Sequence, residues 1–216
     1  MTRLVATLAV ALGLATFFFY LHHLGKGPFA PLAARHLREM KDRAGPGCAG
    51  CPPQAVEPMT HEAFLALPRD LSVADYSAVE RRAVAIEGRV FEMLRAVDGD
   101  FHVELQPLPD STRAQPLPSI TTEITPQWHG DALDGWGFER LASIFRCDRA
   151  LVSPWEPGPA RVRLSGWLLY DGEESDLLPR LLGLPRTRRL TEWEIHPVTR
   201  IERWDETRLA WVEVTR

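Results

Sequence analysis

Two histidines and two glutamates stand at strand-like positions in three separate segments of the chain: His102, Glu123, Glu194 and His196. Glu194 and His196 are two residues apart in "TEWEIHPVTRIERW", residues 191–204. On a strand, this spacing projects both side chains to one side, about 7 Å apart. Imidazole nitrogens and carboxylate oxygens bind zinc and other divalent metals. The same groups also serve as acid and base, because a neighbouring carboxylate raises the pKa of a histidine.

The alternation of each segment decides whether these side chains can meet. In "DFHVELQ", residues 100–106, the apolar residues point one way, and the opposite face carries Asp100, His102, Glu104 and Gln106. In "ITTEIT", residues 120–125, Glu123 lies between two threonines on the face opposite the isoleucines. If the strands share a sheet, these polar faces share one surface. We therefore predict a ligand or divalent-metal site formed by His102, Glu123, Glu194 and His196.

A structural explanation of the same residues stays open. Solvated strand faces normally carry Glu, His, Thr and Arg, and opposite charges on neighbouring strands stabilise a sheet without any function. On this interpretation Glu194 pairs with Arg161 or Arg163. No motif in the sequence decides between the two interpretations.

A second candidate surface combines basic and aromatic residues. The chain has 7 tryptophans, and Trp167 shares its alternation class with Arg161 and Arg163. Tryptophan beside arginine is suited to stacking on bases or sugars, so these three residues are predicted as a stacking or ligand-binding strip. Burial of the tryptophan in the core is the alternative.

Five segments with a period of two residues must position these groups. The first begins at Val84 and is joined to "FHVELQ" by a tight turn around Gly99, which predicts a hairpin. The third covers 120–125, the fourth covers 161–170 with a bulge or bend at Gly166, and the fifth covers 191–204. Pro197 belongs where the ladder is already interrupted, at an edge or a barrel corner.

Short helices are predicted at "HEAFLAL", after the N-cap Thr60, and at "FERLASIF", residues 138–145. Five strands, a hairpin first and a helical insertion between the third and fourth favour a mainly β fold, a small OB-like Greek-key barrel with short helical additions. An open antiparallel sheet is the alternative.

An uncharged segment, residues 4–21, precedes this barrel. As a helix it would be roughly 27 Å long, which nearly matches a bilayer core, so we predict an N-terminal transmembrane helix, with a cleaved signal as the alternative. The predicted domains are an anchor or signal segment (1–24), a juxtamembrane helix and Pro/Gly/Cys linker (25–58), and the OB-like β domain (59–216). The protein is expected in the bacterial inner membrane, with one membrane crossing and an extracytoplasmic body. Basic residues that follow residues 4–21 favour a cytoplasmic body instead.

Two cysteines lie in the linker sequence "GCAGCPP". Cys48 and Cys51 have C-x-x-C spacing, but Pro52 excludes the C-x-x-C-H motif of haem attachment, and a zinc site would need two more nearby ligands. A small local disulfide or two thiols without a role remain as interpretations.

Composition limits the function classes. The chain has 216 residues, of which 45% are apolar and 25% charged, as in an ordinary globular protein. Its formal net charge of -4 gives no strong signal for binding duplex nucleic acid.

A family resemblance rests on four quoted segments in order: "VAIEGRVFEMLRAVDGDFHVEL", "TTEITPQW", "VRLSGWLLYD" and "EWEIHPVTRIE". With these the chain resembles a group of bacterial, often exported, OB-like domains of unassigned function that end in a Trp-Glu-Ile-His-Pro strand. The resemblance covers residues 84–204, and "WEIHPV" (193–198) is its most distinctive part. It implies the OB-like fold and a common location for the two histidines and two glutamates, and it implies no reaction.

Three functions follow as hypotheses. The first is a membrane-tethered OB-like binding module of the bacterial cell envelope, with an oligonucleotide, glycan or protein partner. The second is a metal-dependent hydrolase, of nuclease or phosphodiesterase type, that uses the His/Glu cluster. The third is a structural subunit of a membrane assembly, with the apolar arm "LLPRLLGL" (177–184) as a contact surface. Whether the protein is an enzyme is left open by the sequence.

Overall fold

The computed structural model describes ten stretches of the chain: residues 13–17, 32–41, 53, 55–69, 71–96, 98–108, 118–129, 136–146, 160–171 and 191–216. The chain divides into two compact units, Met1–Arg43 and Ala44–Arg216. Cys48, Cys51 and the apolar arm at 177–184 lie outside the described residues, so the predictions made for them stay predictions.

The first unit contains helical residues 13–17 and helix α1 (Leu32–Lys41). Within the stretches given above, none of the helices combines the length and apolar character that crossing a membrane requires. Most of the predicted anchor at 4–21 lies outside those stretches, so the transmembrane segment remains a prediction.

Seven strands form the sheet in the described part of the second unit: β1 (Glu57–Pro58), β2 (Ala83–Arg95), β3 (Phe101–Gln106), β4 (Ile120–Ile124), β5 (Arg161–Tyr170), β6 (Trp193–Asp205) and β7 (Ala210–Glu213). Strands β2 to β6 correspond to the five predicted strands. The two short strands β1 and β7 were not predicted.

Five strands close into a barrel in the order β2-β3-β4-β6-β5, because β5 pairs back onto β2. The β4–β6 pair is parallel, and the other neighbouring pairs of the barrel are antiparallel. Outside the barrel, β1 pairs with β2 and β7 pairs with β6. The prediction of a mainly β barrel is therefore confirmed, and the open-sheet alternative is wrong.

Four short helices accompany the barrel in the described residues: α2 (His61–Leu65), α3 (Val73–Val79), α4 (Pro126–His129) and α5 (Phe138–Phe145). The Thr60 hydroxyl oxygen accepts a hydrogen bond from the Ala63 N–H at 3.1 Å, so the predicted N-cap of α2 is confirmed. Helix α5 coincides with the predicted "FERLASIF". Leu141 and Phe145 of α5 are buried in the core.

The β2–β3 hairpin turns at Gly99, whose φ of 97° lies in the left-handed region that favours glycine. The Ala96 N–H donates to the Asp100 carbonyl at 2.8 Å and closes the turn. The predicted hairpin is confirmed, and it fixes the register that places β3 beside β2.

The barrel interior is filled by the alternate residues of its strands. Val84, Ile86 and Val90 on β2 meet Val162, Leu164 and Leu168 on β5 in one continuous apolar core.

Strand β6 departs from simple alternation. Ile195, Val198 and Ile201 all pack in the core although they are three residues apart. The β5–β6 register shifts twice, between Ser165 and Gly166 and again between Gly166 and Leu168. At each shift β6 contains one residue more than β5. The extra residue changes which β6 side chains point inward, so the next apolar side chain again points into the core. The two shifts flank Gly166, where a bulge or bend was predicted, and the second spans Pro197, where an interrupted ladder was predicted.

Candidate metal and ligand sites

The strand registers bring the four predicted residues together. His102 of β3 lies directly across from Glu123 of β4 in the antiparallel register. In the parallel β4–β6 pair Thr122 is aligned with Ile195, so one step further along both strands sets Glu123 beside His196. The structure thus joins β3, β4 and β6 at the Glu123 side chain.

Each carboxylate oxygen of Glu123 contacts one imidazole. Glu123 Oε1 is 2.8 Å from His102 Nε2, and Glu123 Oε2 is 2.6 Å from His196 Nδ1. Glu194 Oε1 lies 3.4 Å from the same His196 Nδ1, an ion-pair separation looser than the Glu123 contact. The four side chains therefore form one chain in the order His102, Glu123, His196, Glu194.

Asp100 also belongs to this cluster, and it was missed as a site residue. One ligand atom each of Asp100, Glu123 and His196 can be chosen so that all three lie within 4.8 Å of one another. Asp100 precedes His102 by two residues and so shares its face of β3. The alternation of "DFHVELQ" contained this signal, because it placed Asp100 on the same face as His102.

Burial separates this cluster from an ordinary solvated face. Glu194 and His196 are 0% exposed, Glu123 is 1% and Asp100 is 6%, whereas the His102 side chain keeps 28% of its surface accessible. The explanation of these residues as a solvated strand face is therefore wrong for all but His102. Burying carboxylates requires compensating cations or hydrogen bonds.

The pairing proposed between Glu194 and Arg161 or Arg163 is also corrected. In the β5–β6 register Glu194 lies opposite Leu169, at the other end of the strand pair from the two arginines. Arg161 instead donates to Glu87 Oε2 at 2.7 Å, and Arg163 donates to both Glu202 oxygens at 2.7 and 2.8 Å.

The pKa of His196 results from opposing effects. Burial disfavours the imidazolium and lowers the pKa, but the hydrogen bonds and negative charges of Glu123 and Glu194 outweigh it and raise the pKa from 6.5 to about 10. The cluster therefore holds a proton on His196 at neutral pH when nothing else occupies the site.

Stability is expected to fall in alkaline solution because of this proton. The folded pKa of His196 lies above its unfolded value, so the stabilisation is fully present below about pH 6.5 and is lost as the pH rises through about 10. Its size is on the order of 5 kcal/mol. Urea unfolding of chelator-treated protein across this range measures it, with His196→Asn as the control for other groups that titrate there. An equal pH slope in both proteins would contradict the assignment.

The predicted basic and aromatic strip has different aromatic members. The Arg161 guanidinium lies 4.8 Å from the ring centroid of Trp204 and 5.1 Å from that of Trp211, and Arg163 lies 4.5 Å from Trp211. Trp204 and Trp211 are cross-strand partners of β6 and β7, with centroids 5.4 Å apart. We call Arg161, Arg163, Trp204 and Trp211 the arginine–tryptophan surface.

All four members of this surface are partly exposed. Trp167 is also partly exposed and points to the same side of β5, but its register partner is Ala83 at the far end of β2. The two tryptophans that contact the arginines come from the unpredicted β6–β7 hairpin, so sequence alternation within β5 could not identify them.

No protein-family model matches this chain, and no curated protein matches it.

Proposed function

We propose that this chain is a membrane-tethered OB-like binding module of the bacterial cell envelope, and that its arginine–tryptophan surface binds an extended ligand. The observation that carries the proposal is the contact geometry of Arg161 and Arg163 with Trp204 and Trp211. Cation–π contacts hold the indole rings in place, so these side chains lose less conformational entropy when a ligand binds.

The strand order supports the OB-like part of the proposal. OB folds are five-stranded Greek-key barrels whose sheet surfaces bind oligonucleotides and oligosaccharides. The barrel here has five strands, a leading hairpin and a parallel pair between its third and fifth strands. Fold alone assigns no ligand, so the argument must come from the surface.

Charge balance favours a glycan over a nucleic acid. Arg161 is paired with Glu87, and Arg163 is paired with Glu202. The hydrogen bonds from Arg163 lower the pKa of Glu202, so this pair remains charged at neutral pH. A bare phosphate backbone gains little from arginines that are already matched by carboxylates. Sugar rings stack on indole faces, and sugar hydroxyls can donate to the carboxylates and accept from the guanidinium groups.

The proposed membrane tether is supported by the sequence of residues 4–21, which is uncharged and nearly matches the thickness of a bilayer core.

The hydrolase hypothesis is less well supported, because Glu123, Glu194 and His196 are buried and a polymeric substrate could not reach them directly.

Ligand binding is expected to depend on Trp211. Titrating the protein with chito-oligosaccharides should change its tryptophan fluorescence, and Trp211→Ala should weaken binding at least about fivefold, since loss of one stacking contact costs about 1–3 kcal/mol. Phe91→Ala, which truncates an exposed aromatic residue of β2, is the matched control and should bind as the wild type does.

Two results would contradict the proposal as stated. A response to oligothymidylate that disappears with added salt, with none to oligosaccharides, would replace the glycan with a nucleic acid. No response to either class of ligand would remove the binding role from this surface.

A further inference from the structure

We infer that Asp100, Glu123 and His196 form a buried binding site for a divalent transition-metal ion such as Zn²⁺. The site is separate from the arginine–tryptophan surface, and the inference holds whether or not that surface binds a glycan.

The geometry of the three side chains is close to that of a metal site. Zinc binds carboxylate oxygen and imidazole nitrogen at about 2.0–2.2 Å, so the ligand atoms of a tetrahedral site lie about 3.3–3.6 Å from one another. One atom each of Asp100, Glu123 and His196 already lies within 4.8 Å of the other two. Side-chain movements below about 1 Å would complete the coordination.

Three parts of the barrel converge on this point. Asp100 comes from the β2–β3 turn, Glu123 from β4 and His196 from β6. Because the parallel β4–β6 register and the antiparallel β3–β4 register fix these backbones, the ligands are pre-positioned by the sheet. An ion at this point would link segments that are 23 and 73 residues apart in sequence, counted from Asp100 to Glu123 and from Glu123 to His196.

The donor set indicates the class of ion. Two carboxylates and one imidazole favour first-row transition metals over Ca²⁺, which prefers oxygen ligands throughout. Three carboxylates of this cluster are at least nine-tenths buried: Asp100, Glu123 and Glu194. The imidazole of His196 is buried beside them. A divalent cation at this place would offset two of these negative charges.

Neighbouring side chains would support the ligands. His102 Nε2 contacts Glu123 Oε1 at 2.8 Å, and Glu194 lies 3.4 Å from His196. Partners of this kind orient metal-ligating carboxylates and imidazoles in known metal sites. The burial of the ligands points to a structural ion rather than one that meets a substrate.

The experiment is a metal titration of the full-length chain in detergent after removal of metals with a chelator. Co²⁺ should bind at one ion per chain and produce visible d–d absorption, and Zn²⁺ should displace it and raise the melting temperature.

Asp100→Ala is the decisive variant, because it removes one proposed ligand and leaves unchanged Glu123, which contacts both histidines. It should weaken Co²⁺ and Zn²⁺ binding at least about tenfold, whereas Glu104→Gln, two positions beyond His102 on the same face of β3, should leave binding unchanged. The inference is overturned if the wild type binds neither ion, or if Asp100→Ala binds them as tightly as the wild type does.

Discussion

Replacing Glu123 with alanine is expected to lower the free energy of unfolding by about 3–5 kcal/mol, the usual cost of removing one partner from a buried ion pair. Glu123 contacts His196 at 2.6 Å and His102 at 2.8 Å, so its loss leaves a buried imidazolium without its tightest partner. Small proteins are stable by only about 5–15 kcal/mol, so this substitution would remove a large part of the total. Urea unfolding of chelator-treated protein at neutral pH measures the change.

Glu92→Ala provides the control for this prediction. Glu92 lies on β2 and is exposed, so losing its carboxylate should change stability by no more than about 0.5 kcal/mol. If Glu123→Ala costs as little as Glu92→Ala, the His–Glu–His contacts contribute nothing to the fold, and the stability argument for the buried cluster fails.

Gly166→Ala is expected to destabilise the barrel by at least about 3 kcal/mol, at the upper end of the cost of overpacking a core. A methyl group at Gly166 would overlap the carbonyl oxygen of Pro197 and lie 2.7 Å from Ile195 Cγ2. Backbone atoms cannot move aside as a flexible side chain can, so β5 and β6 would have to separate where both register shifts occur. Thermal unfolding monitored by circular dichroism measures the effect.

Gly13→Ala tests whether the effect is specific to that close approach. Gly13 is helical, and among the residues that the structure describes a methyl group there meets no atom outside its own helix backbone within 4 Å, so alanine should be neutral or slightly stabilising. A Gly166→Ala protein with the melting temperature of the wild type would show that the strands tolerate the extra atom and that the glycine is dispensable.

Much of the fold was predictable because its signals are local. Alternation identified the five barrel strands, the Asp-Gly turn identified the hairpin at Gly99, and Thr60 identified the start of α2. The missed elements give weak local signals: β1 has two residues, β7 has four, and Ser72, the N-cap of α3, makes no side-chain cap hydrogen bond.

Two of the three proposed metal ligands, Glu123 and His196, were predicted from the sequence, whereas Asp100 and the burial of the site were not. Alternation could state which face His102, Glu123 and His196 occupy, but their burial depends on packing between distant segments. The two register shifts between β5 and β6 could not be predicted either, because a register shift depends on how β6 pairs with β5. For the same reason the contact of Arg163 with Trp211 could not be predicted, because the pairing of β7 with β6 brings Trp211 to the arginine.

The parallel pairing of β4 with β6 has a consequence for biosynthesis. Trp193, the first residue of β6, follows Ile124, the last residue of β4, by 69 positions. A ribosome that adds about 5–20 residues per second needs roughly 3–14 seconds to make that interval. During this time the edge of β4 that β6 later covers lacks its partner strand in the emerging polypeptide. Chaperone binding to this exposed edge is therefore expected to be greatest before β6 has left the exit tunnel.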